Sequence, residues 1–355
     1  MADPDTSPPP AAQQQPAPTG RQIGAYVKRG VYLALVLIAV SLIAPQLFDR
    51  LLEVLSSAER LRTIRPEWFL VMIALEGVSF VFIWWLIRIV LPSVSWFVAA
   101  TSQLTSNAVS RVVPGGAAVG GATLYRMLSV SGVTAAEAGG ALAATSIIST
   151  AALFAIPASG GLMALFGAPV PESLLSVAIA GAVMFAVLVG AGAIAIVTTR
   201  PLDLLGRVLN RSFSTIGGWF HKDWGFEPHH LVEERDRLVS VIGNKWPQVT
   251  AAAALNWVFD YLTLVAALYA IGADPRLSLV LLAYSSAAVL AMIPITPGGF
   301  GFVEVGLTGL LIVSGISAQN AALATLAYRI ISLWVPLASG IVAWFAFRHR
   351  YTVAD

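Results

Sequence analysis

Long apolar segments follow one another along most of the chain, separated by short polar stretches. A helix that crosses a bilayer needs about 20 mostly apolar residues, because the hydrocarbon core is about 30 Å thick. Six segments meet this requirement, at about residues 30–48, 66–88, 134–166, 173–199, 246–271 and 317–347. The pattern predicts an all-α polytopic membrane protein with about six full spans.

Two further apolar stretches, at about 92–132 and 275–315, each contain a Pro-Gly-Gly triplet near the middle. Proline removes a helix hydrogen bond and glycine weakens a helix, so neither stretch should form one continuous helix. Irregular backbone at membrane depth is tolerated only where it is buried in protein or lines a watery cavity. We therefore interpret each stretch as a re-entrant hairpin or a pair of half-helices. The residues of the two predicted bends are Pro114, Gly115, Gly116, Pro297, Gly298, Gly299 and Gly301.

The two broken stretches belong to a repeat. At an offset of 183 residues, the chain aligns both Pro-Gly-Gly triplets and also Val130-Ser131-Gly132 with Val313-Ser314-Gly315. Three predicted spans separate the copies, and an odd number inverts the second copy relative to the membrane. Inverted repeats with broken helices are typical of secondary transporters, whose sites lie near the bilayer midplane. The alternative is a bent scaffold without transport.

The repeats define one transmembrane domain at 28–350, with repeat 1 at about 66–166 and repeat 2 at about 246–348. Residues 1–27 are rich in Pro, Ala and Gln, and we predict a disordered tail. A polar connector follows at about 200–245. Six spans place three basic segments on the same side of the membrane: the N-terminal flank, the connector and the C-terminal flank. Because basic loops are typical of the cytoplasmic side, we predict cytoplasmic N- and C-termini.

The segment 49–65 does not fit this orientation. It carries Arg50, Arg60, Arg62 and Arg65 but is placed on the outer side. It also carries acids and the apolar residues Leu51, Leu52, Leu55 and Leu61, which predict an amphipathic helix that lies on the outer surface.

Composition narrows the functional classes. The chain is 57% hydrophobic and 11% charged, whereas a soluble domain carries about 25% charged residues. A net charge of +2 indicates neither a nucleic acid nor an acidic partner. The chain has no cysteine, and its four histidines lack metal-ligand spacing, so we predict no metal and no cofactor.

Several ionisable residues fall inside the predicted spans, where each costs roughly 2.5–3.5 kcal/mol on insertion scales and usually faces the bundle interior. Arginine pairs bidentately with phosphate oxygens, so we expect the arginines to bind an anionic lipid head-group. The acids would balance them or meet a cationic head-group or a proton. Alternatively, the charges pair with one another and hold helices together. The candidate cavity residues are Glu76, Arg111, Arg126, Asp260, Glu304 and Arg329. Glu137 instead falls at a predicted helix start, where an acid is favoured.

Three functions are candidates for a chain with this pattern. A lipid translocator fits the inverted repeat and the intramembrane charges. A non-transporting membrane partner would bind a separate enzyme through the connector at 200–245, which mixes basic, acidic and aromatic residues. An intramembrane enzyme fits least, because no Ser/His pair, metal spacing or paired aspartates occur within a span, and we predict no enzyme. No G-x-x-x-x-G-K loop indicates ATP use.

Three stretches of the sequence resemble motifs of a known family. Pro297-Gly298-Gly299-Phe300-Gly301-Phe302-Val303-Glu304 resembles the P-G-G-x-G-x-x-E signature of the lysylphosphatidylglycerol synthase transmembrane (flippase-like) family. The stretch Tyr328–Pro336 is similar to that family's Y-R-x-x-S-x-W-x-P segment, and Arg111–Gly116 is similar to its N-terminal half. The resemblance covers nearly the whole chain after about residue 30. One departure is Gly121-Ala122, where many members carry an acid.

The resemblance implies a multi-pass protein of the bacterial plasma membrane, with two re-entrant segments in a pseudo-symmetric bundle. It implies movement of a phospholipid or related lipid across the bilayer. Some relatives fuse this bundle to a soluble transferase, but the connector is too short for one, and we expect a stand-alone member. The expected partners are membrane lipids and no nucleic acid; a second copy of the chain and a separate lipid-modifying enzyme are further candidates.

Overall fold

The computed structural model describes residues 66–113, 116–165, 172–198, 229–292 and 297–351. The predicted tail (1–27), first span (30–48), outer-surface helix (49–65) and most of the connector lie outside these residues, as do Pro114 and Gly115. Within the described ranges the chain forms eleven α-helices and no strand, which confirms the all-α prediction. The helices are α1 (Pro66–Val90), α2 (Trp96–Val112), α3 (Gly116–Val130), α4 (Ala135–Leu165), α5 (Glu172–Val197), α6 (His229–Ile242), α7 (Trp246–Ala270), α8 (Leu277–Ala291), α9 (Phe302–Val313), α10 (Ala318–Arg329) and α11 (Val335–Arg350).

Among the described residues, four stretches are long and apolar enough to cross a membrane, which confirms a polytopic membrane protein. They are Pro66–Val90, Ala135–Ser159, Arg235–Ala270 and Ala318–Arg350. Shorter apolar helices occur at Ala178–Ile194, Leu277–Ala291 and Phe302–Val313. The predicted total of six spans stays a prediction, because residues 30–48 lie outside the described ranges and the apolar part of α5 is short.

Helices α1 and α7 pack against each other in antiparallel directions. Trp68 near the start of α1 stacks on Tyr269 near the end of α7, with ring centroids 6.5 Å apart. In the middle, Asn256 donates through Nδ2 to the Ser79 carbonyl oxygen at 3.0 Å. Leu86, near the end of α1, packs with Val249, near the start of α7. Since these helices hold equivalent positions in the two repeats, their opposite directions confirm that the repeats are inverted.

Helices α2 and α3 form the first hairpin. Near its tip, Ser106 donates through Oγ to the Gly120 carbonyl oxygen at 2.7 Å. Its open end lies beside the end of α1, because Val98 and Met127 share an apolar cluster with Ile87. Helix α2 therefore begins, and helix α3 ends, at the same end of the bundle.

The second hairpin, α8 and α9, has its open end at the opposite end of the bundle. There, Ser314 donates through Oγ to the Leu279 carbonyl oxygen at 3.2 Å. Leu279 and Ser314 lie on the side where α7 ends, since Val280 and Leu311 share an apolar cluster with Met72 of α1 and Leu268 of α7. The two hairpins thus enter the bundle from opposite ends, as the inverted repeat requires.

The turns after the two hairpins repeat each other in detail. Gly132 and Gly315 have φ values of 97° and 93°, which an L side chain rarely adopts. The N–H of Val133 donates to the Leu128 carbonyl, and the N–H of Ile316 donates to the Leu311 carbonyl, both at 3.1 Å. The repeat seen in the sequence is therefore also a repeat of backbone structure.

Close helix contacts in the bundle rely on small residues, because lipid tails are as apolar as leucine and give no hydrophobic drive for helix association. A Cβ at Gly120 would lie 2.8 Å from the Ser106 carbonyl oxygen, and a Cβ at Gly340 would lie 2.5 Å from the Leu104 carbonyl oxygen. Helix α2 is therefore packed closely between α3 and α11.

Helices α10 and α11 form one span with a π-helical turn at Ile330–Trp334 between them. Pro336 has no N–H to donate to Ser332, and its ring would collide with that residue's carbonyl in a regular helix. The wider turn accommodates the proline and directly follows Arg329. Turns of this kind are frequent at functional sites.

Candidate functional site

The tips of the two hairpins meet inside the bundle. A Cβ at Gly298 in the second bend would lie 2.9 Å from the carbonyl oxygen of Arg111, in the last turn of α2. Gly298 also has a φ of 60° and ψ of 9°, the left-handed conformation that favours glycine. Glycine is thus required at this position both for backbone conformation and for the close approach of the first repeat.

Arg329 and Glu304 form an ion pair beside this contact. The Arg329 Nε donates to Glu304 Oε1 at 2.7 Å, and its Nη2 donates to the Gly298 carbonyl oxygen at 2.9 Å. The two side chains are 10% and 22% exposed. Glu304 lies in the first turn of α9, so the acid, the bend and Arg329 form one connected group within repeat 2. The second oxygen, Glu304 Oε2, is buried without a hydrogen-bond partner.

Asp260, in the middle of α7, is held by two tyrosines. The Tyr284 hydroxyl of α8 donates to Asp260 Oδ2, and the Tyr328 hydroxyl of α10 lies 3.1 Å from both carboxylate oxygens. The Asp260 carboxylate is therefore tied to both the second hairpin and the span that carries Arg329.

Glu76, in the middle of α1, faces Asp260 where α1 and α7 cross. It lies within hydrogen-bonding range of Asp260 and Thr263 and within electrostatic range of Arg111. Its side chain is among the most buried in the protein, with Glu76 only 4% exposed, and Oε2 has no hydrogen-bond partner. The crossing therefore places one acid from each repeat face to face.

Arg111 brings a cation from the first repeat to the same place. Its Nε donates to Asn107 Oδ1 at 2.6 Å, one helical turn earlier. It lies within electrostatic range of Arg329, Glu76 and Asp260. Its terminal nitrogens Nη1 and Nη2 make no hydrogen bond to any described residue.

The structure thus brings together five of the six residues predicted to line a cavity. We name them the central charge cluster: Glu76, Arg111, Asp260, Glu304 and Arg329. Three carboxylates and two guanidinium groups leave the cluster one negative charge in excess when all are ionised.

Arg126 is not part of this cluster, in contrast to the sequence prediction. It is exposed on α3 and makes no hydrogen bond or ion pair with any described residue. Helix α3 presents Gly120, and not Arg126, to its neighbour α2. Glu137 also lies elsewhere: it accepts hydrogen bonds from the Thr134 N–H and hydroxyl at the start of α4, as a helix-capping acid.

Tyr284, whose hydroxyl contacts Asp260, was not among the residues predicted from the sequence. The signal was present, because Tyr284 is the one aromatic residue within the apolar helix α8. Asn107, which orients Arg111, was missed for a different reason. Polar residues are frequent along α2, and nothing in their spacing distinguishes it.

Comparison with known proteins supports a membrane protein family. The family model described as lysylphosphatidylglycerol synthase TM region matches residues 31–340. Three UPF0104 membrane proteins of Methanothermobacter thermautotrophicus are also similar in sequence. One is 32% identical over 88 residues (25% of this chain and 26% of that protein). A second is 32% identical over 93 residues (25% and 26%), and a third is 29% identical over 96 residues (27% and 27%).

These matches are limited in extent. The chain spans about a quarter of the length of the curated relatives it matches. Their source is archaeal, so the bacterial origin implied by the resemblance stays a prediction. No solved structure matches the chain significantly.

Proposed function

The chain belongs to the lysylphosphatidylglycerol synthase TM region family, and from this premise we propose that it moves a phospholipid or related lipid across the bilayer. The head-group would bind between the two repeats at the central charge cluster. No catalytic step is assigned to the chain. We further propose that the protein lies in the plasma membrane with both termini in the cytoplasm.

The observation that carries this proposal is the position of Arg111 beside Arg329. The two cations come from opposite repeats and approach the same glycine, because Gly298 lies against the Arg111 backbone carbonyl and accepts a hydrogen bond from Arg329 at 2.9 Å. Like charges that are close together repel, and an anion between them relieves the repulsion. A lipid phosphate is such an anion, and it matches the planar guanidinium geometry.

Arg111 and Arg329 would have different roles in binding. Arg111 has terminal nitrogens that are free of described partners, so it is the first contact for a phosphate. Arg329 is already paired with Glu304 at 2.7 Å. A phosphate would therefore compete with Glu304 for Arg329, and the ion pair would close the site when no head-group is bound.

The hairpin tips offer a means of moving the head-group. The contact between Gly298 and the Arg111 carbonyl joins the repeats without any bulky side chain. A rocking motion of one repeat against the other would shift this contact and open the cluster to one side at a time, as in other inverted-repeat transporters.

The test uses vesicles that contain the purified protein and a trace of a fluorescent phospholipid, whose outer-leaflet fraction is quenched by dithionite. In vesicles with the wild-type protein, dithionite should quench more than half of the probe, because probe from the inner leaflet moves to the outer leaflet. Arg111→Gln should slow the movement of a phosphatidylglycerol probe by about tenfold or more, because a charged hydrogen bond contributes about 1.5–3 kcal/mol.

Arg126→Gln is the matched control, since it removes the same charge from an exposed position outside the cluster. It should move the probe at the wild-type rate. Equal rates for wild type and Arg111→Gln would contradict the proposal. If wild type moved none of the phosphatidylglycerol, phosphatidylethanolamine or phosphatidylcholine probes, the alternative of a non-transporting membrane partner would be favoured.

A further inference from the structure

The two acids Glu76 and Asp260, which we call the acidic pair, differ in the hydrogen-bond donors that reach them. Asp260 receives the hydroxyls of Tyr284 and Tyr328. Glu76 lies within hydrogen-bonding range of Asp260 and Thr263, but Thr263 already donates its hydroxyl to the Phe259 carbonyl at 3.1 Å. An ionised Glu76 would therefore place a poorly satisfied charge directly against another carboxylate, at a position where only 4% of the residue is exposed.

One proton removes this conflict. A protonated Glu76 can donate to Asp260, which leaves a single negative charge held by two phenols. Two carboxylates that share one proton are a known arrangement in proteins, because like charges at such close range do not both ionise. The same proton also balances the cluster, since it leaves two carboxylates against two guanidinium groups.

A second buried polar group lies near the acidic pair and outside it. Ser332, in the π-helical turn, is 5% exposed, and its Oγ has no hydrogen-bond partner. It lies next to the Tyr328 hydroxyl, which in turn contacts Asp260. An apolar bundle gains nothing from a buried hydroxyl without a partner, and such a group costs free energy.

Four helices near Glu76 supply charged or titratable groups that affect the pair. Helix α2 supplies Arg111 and α7 supplies Asp260, while α8 supplies Tyr284. Helix α10 supplies Tyr328 and Arg329, and Arg329 is paired with Glu304 of α9. Of these groups only the two arginines carry positive charge, and Arg329 is committed to Glu304. A proton is therefore the counter-charge that the pair lacks.

We propose that Glu76 and Asp260 together hold one proton, and that this proton is carried with the lipid. The inference rests on the proposed function and supplies its driving force. With the proton bound, the cluster is neutral and an anionic head-group can approach Arg111. When the proton leaves, the cluster becomes negative and repels the head-group. A head-group then binds on the side with more protons and is released on the side with fewer.

The first experiment does not depend on transport. Infrared difference spectra of the purified protein between neutral and alkaline pH report the C=O stretching band of a protonated carboxylic acid. We expect this band in wild type at pH 7 and its loss in Glu76→Gln. The control Glu137→Gln, which changes the helix-capping acid of α4, should keep it. A wild-type protein without the band at pH 7 overturns the proposal, and so does a band that persists unchanged in Glu76→Gln.

The second experiment imposes a pH difference across vesicles that contain the protein and a phosphatidylglycerol probe. One proton per anionic lipid predicts a probe ratio of about tenfold between the leaflets for each pH unit, with the excess on the alkaline side. Glu76→Gln should give a ratio of about one, and Glu137→Gln the wild-type ratio. Probe movement without a response to the pH difference overturns the coupling but leaves the proposed function intact. The infrared band without movement of any probe overturns the proposed function and the coupling, and leaves only the proton site.

Discussion

Gly298 in the bend of one repeat lies directly against the backbone carbonyl of Arg111 in the other, so close that a Cβ at Gly298 would stand 2.9 Å from that oxygen. The repeats therefore meet through backbone at the point where their charges converge. The guanidinium group of Arg329 bonds to the carbonyl of the same glycine, at 2.9 Å. A change at Gly298 should consequently affect both the fold and the cluster.

Gly298→Ala is expected to destabilise the protein by roughly 1–3 kcal/mol, because a left-handed backbone costs an L side chain about 1–2 kcal/mol and the methyl group also meets the Arg111 carbonyl. Thermal unfolding in detergent, followed by tryptophan fluorescence, measures this change. Gly309→Ala is the control, since it lies within α9 and a Cβ there meets nothing within 4 Å. It should be neutral or slightly stabilising, and an equal loss in both variants would go against the tight contact.

The ion pair between Arg329 and Glu304 should show strong coupling. Removal of one partner from a buried pair leaves an unpaired charge and costs about 3–5 kcal/mol. Glu304→Gln and Arg329→Gln should each lower the unfolding temperature, and the double variant should lose less than the sum of the two. Asp236→Asn removes an ion pair with Arg235 in which the acid is 61% exposed, and it should change stability by less than about 1 kcal/mol. Additive losses in the double variant would indicate that the two side chains do not interact.

The first hairpin should tolerate a methyl group at one glycine and not at its neighbour. A Cβ at Gly120 would lie 2.7 Å from Ser110 Cβ and 2.8 Å from the Ser106 carbonyl, whereas a Cβ at Gly121 meets nothing within 4 Å. Gly120→Ala should therefore force α2 and α3 apart and lower the unfolding temperature. Gly121→Ala should not, because it only improves helix propensity, by up to about 1 kcal/mol. A similar unfolding temperature for both variants would show that the legs of the hairpin are not in close contact.

The inverted repeat can be tested by a disulfide, since the chain has no cysteine of its own. The Ser79 hydroxyl donates to the Asn256 carbonyl at 2.9 Å, so Ser79→Cys combined with Asn256→Cys should cross-link α1 to α7 under oxidation. With a protease site inserted between α5 and α6, the cross-linked halves should stay together on a non-reducing gel and separate on a reducing one. Val78→Cys with Asn256→Cys is the control, because Val78 is exposed on the outer face of α1. Cross-linking of the control alone would rule out the observed register.

The sequence also predicted more than the helices. The offset that aligns Gly132 with Gly315 anticipated two turns with nearly equal backbone angles. The triplet at 297–299 anticipated a bend, because proline and glycine interrupt helical hydrogen bonding wherever they occur. These features depend on residues that are close together along the chain, and local sequence is sufficient to define them.

The choice of residues at the centre of the bundle required the tertiary structure. Arg111 and Arg126 looked equivalent in the sequence, yet only Arg111 joins the central charge cluster. Helical periodicity states which residues share a face, but the face that meets a distant helix depends on how Gly120, Gly340 and other small residues let the helices approach. The pairing of Glu76 with Asp260 likewise follows from the crossing of α1 and α7, which side-chain packing between distant segments determines.

Sequence alone therefore determined that the chain lives in a bilayer, that its helices are broken at two places and that its two halves are inverted copies. Length, apolarity and the backbone chemistry of proline and glycine act locally, so they can be recognised in one dimension. The tertiary structure decided which charges meet, which ones face outward and which buried oxygen atoms lack a donor. Those outcomes depend on distances between residues that are far apart along the chain, and only packing in three dimensions sets such distances.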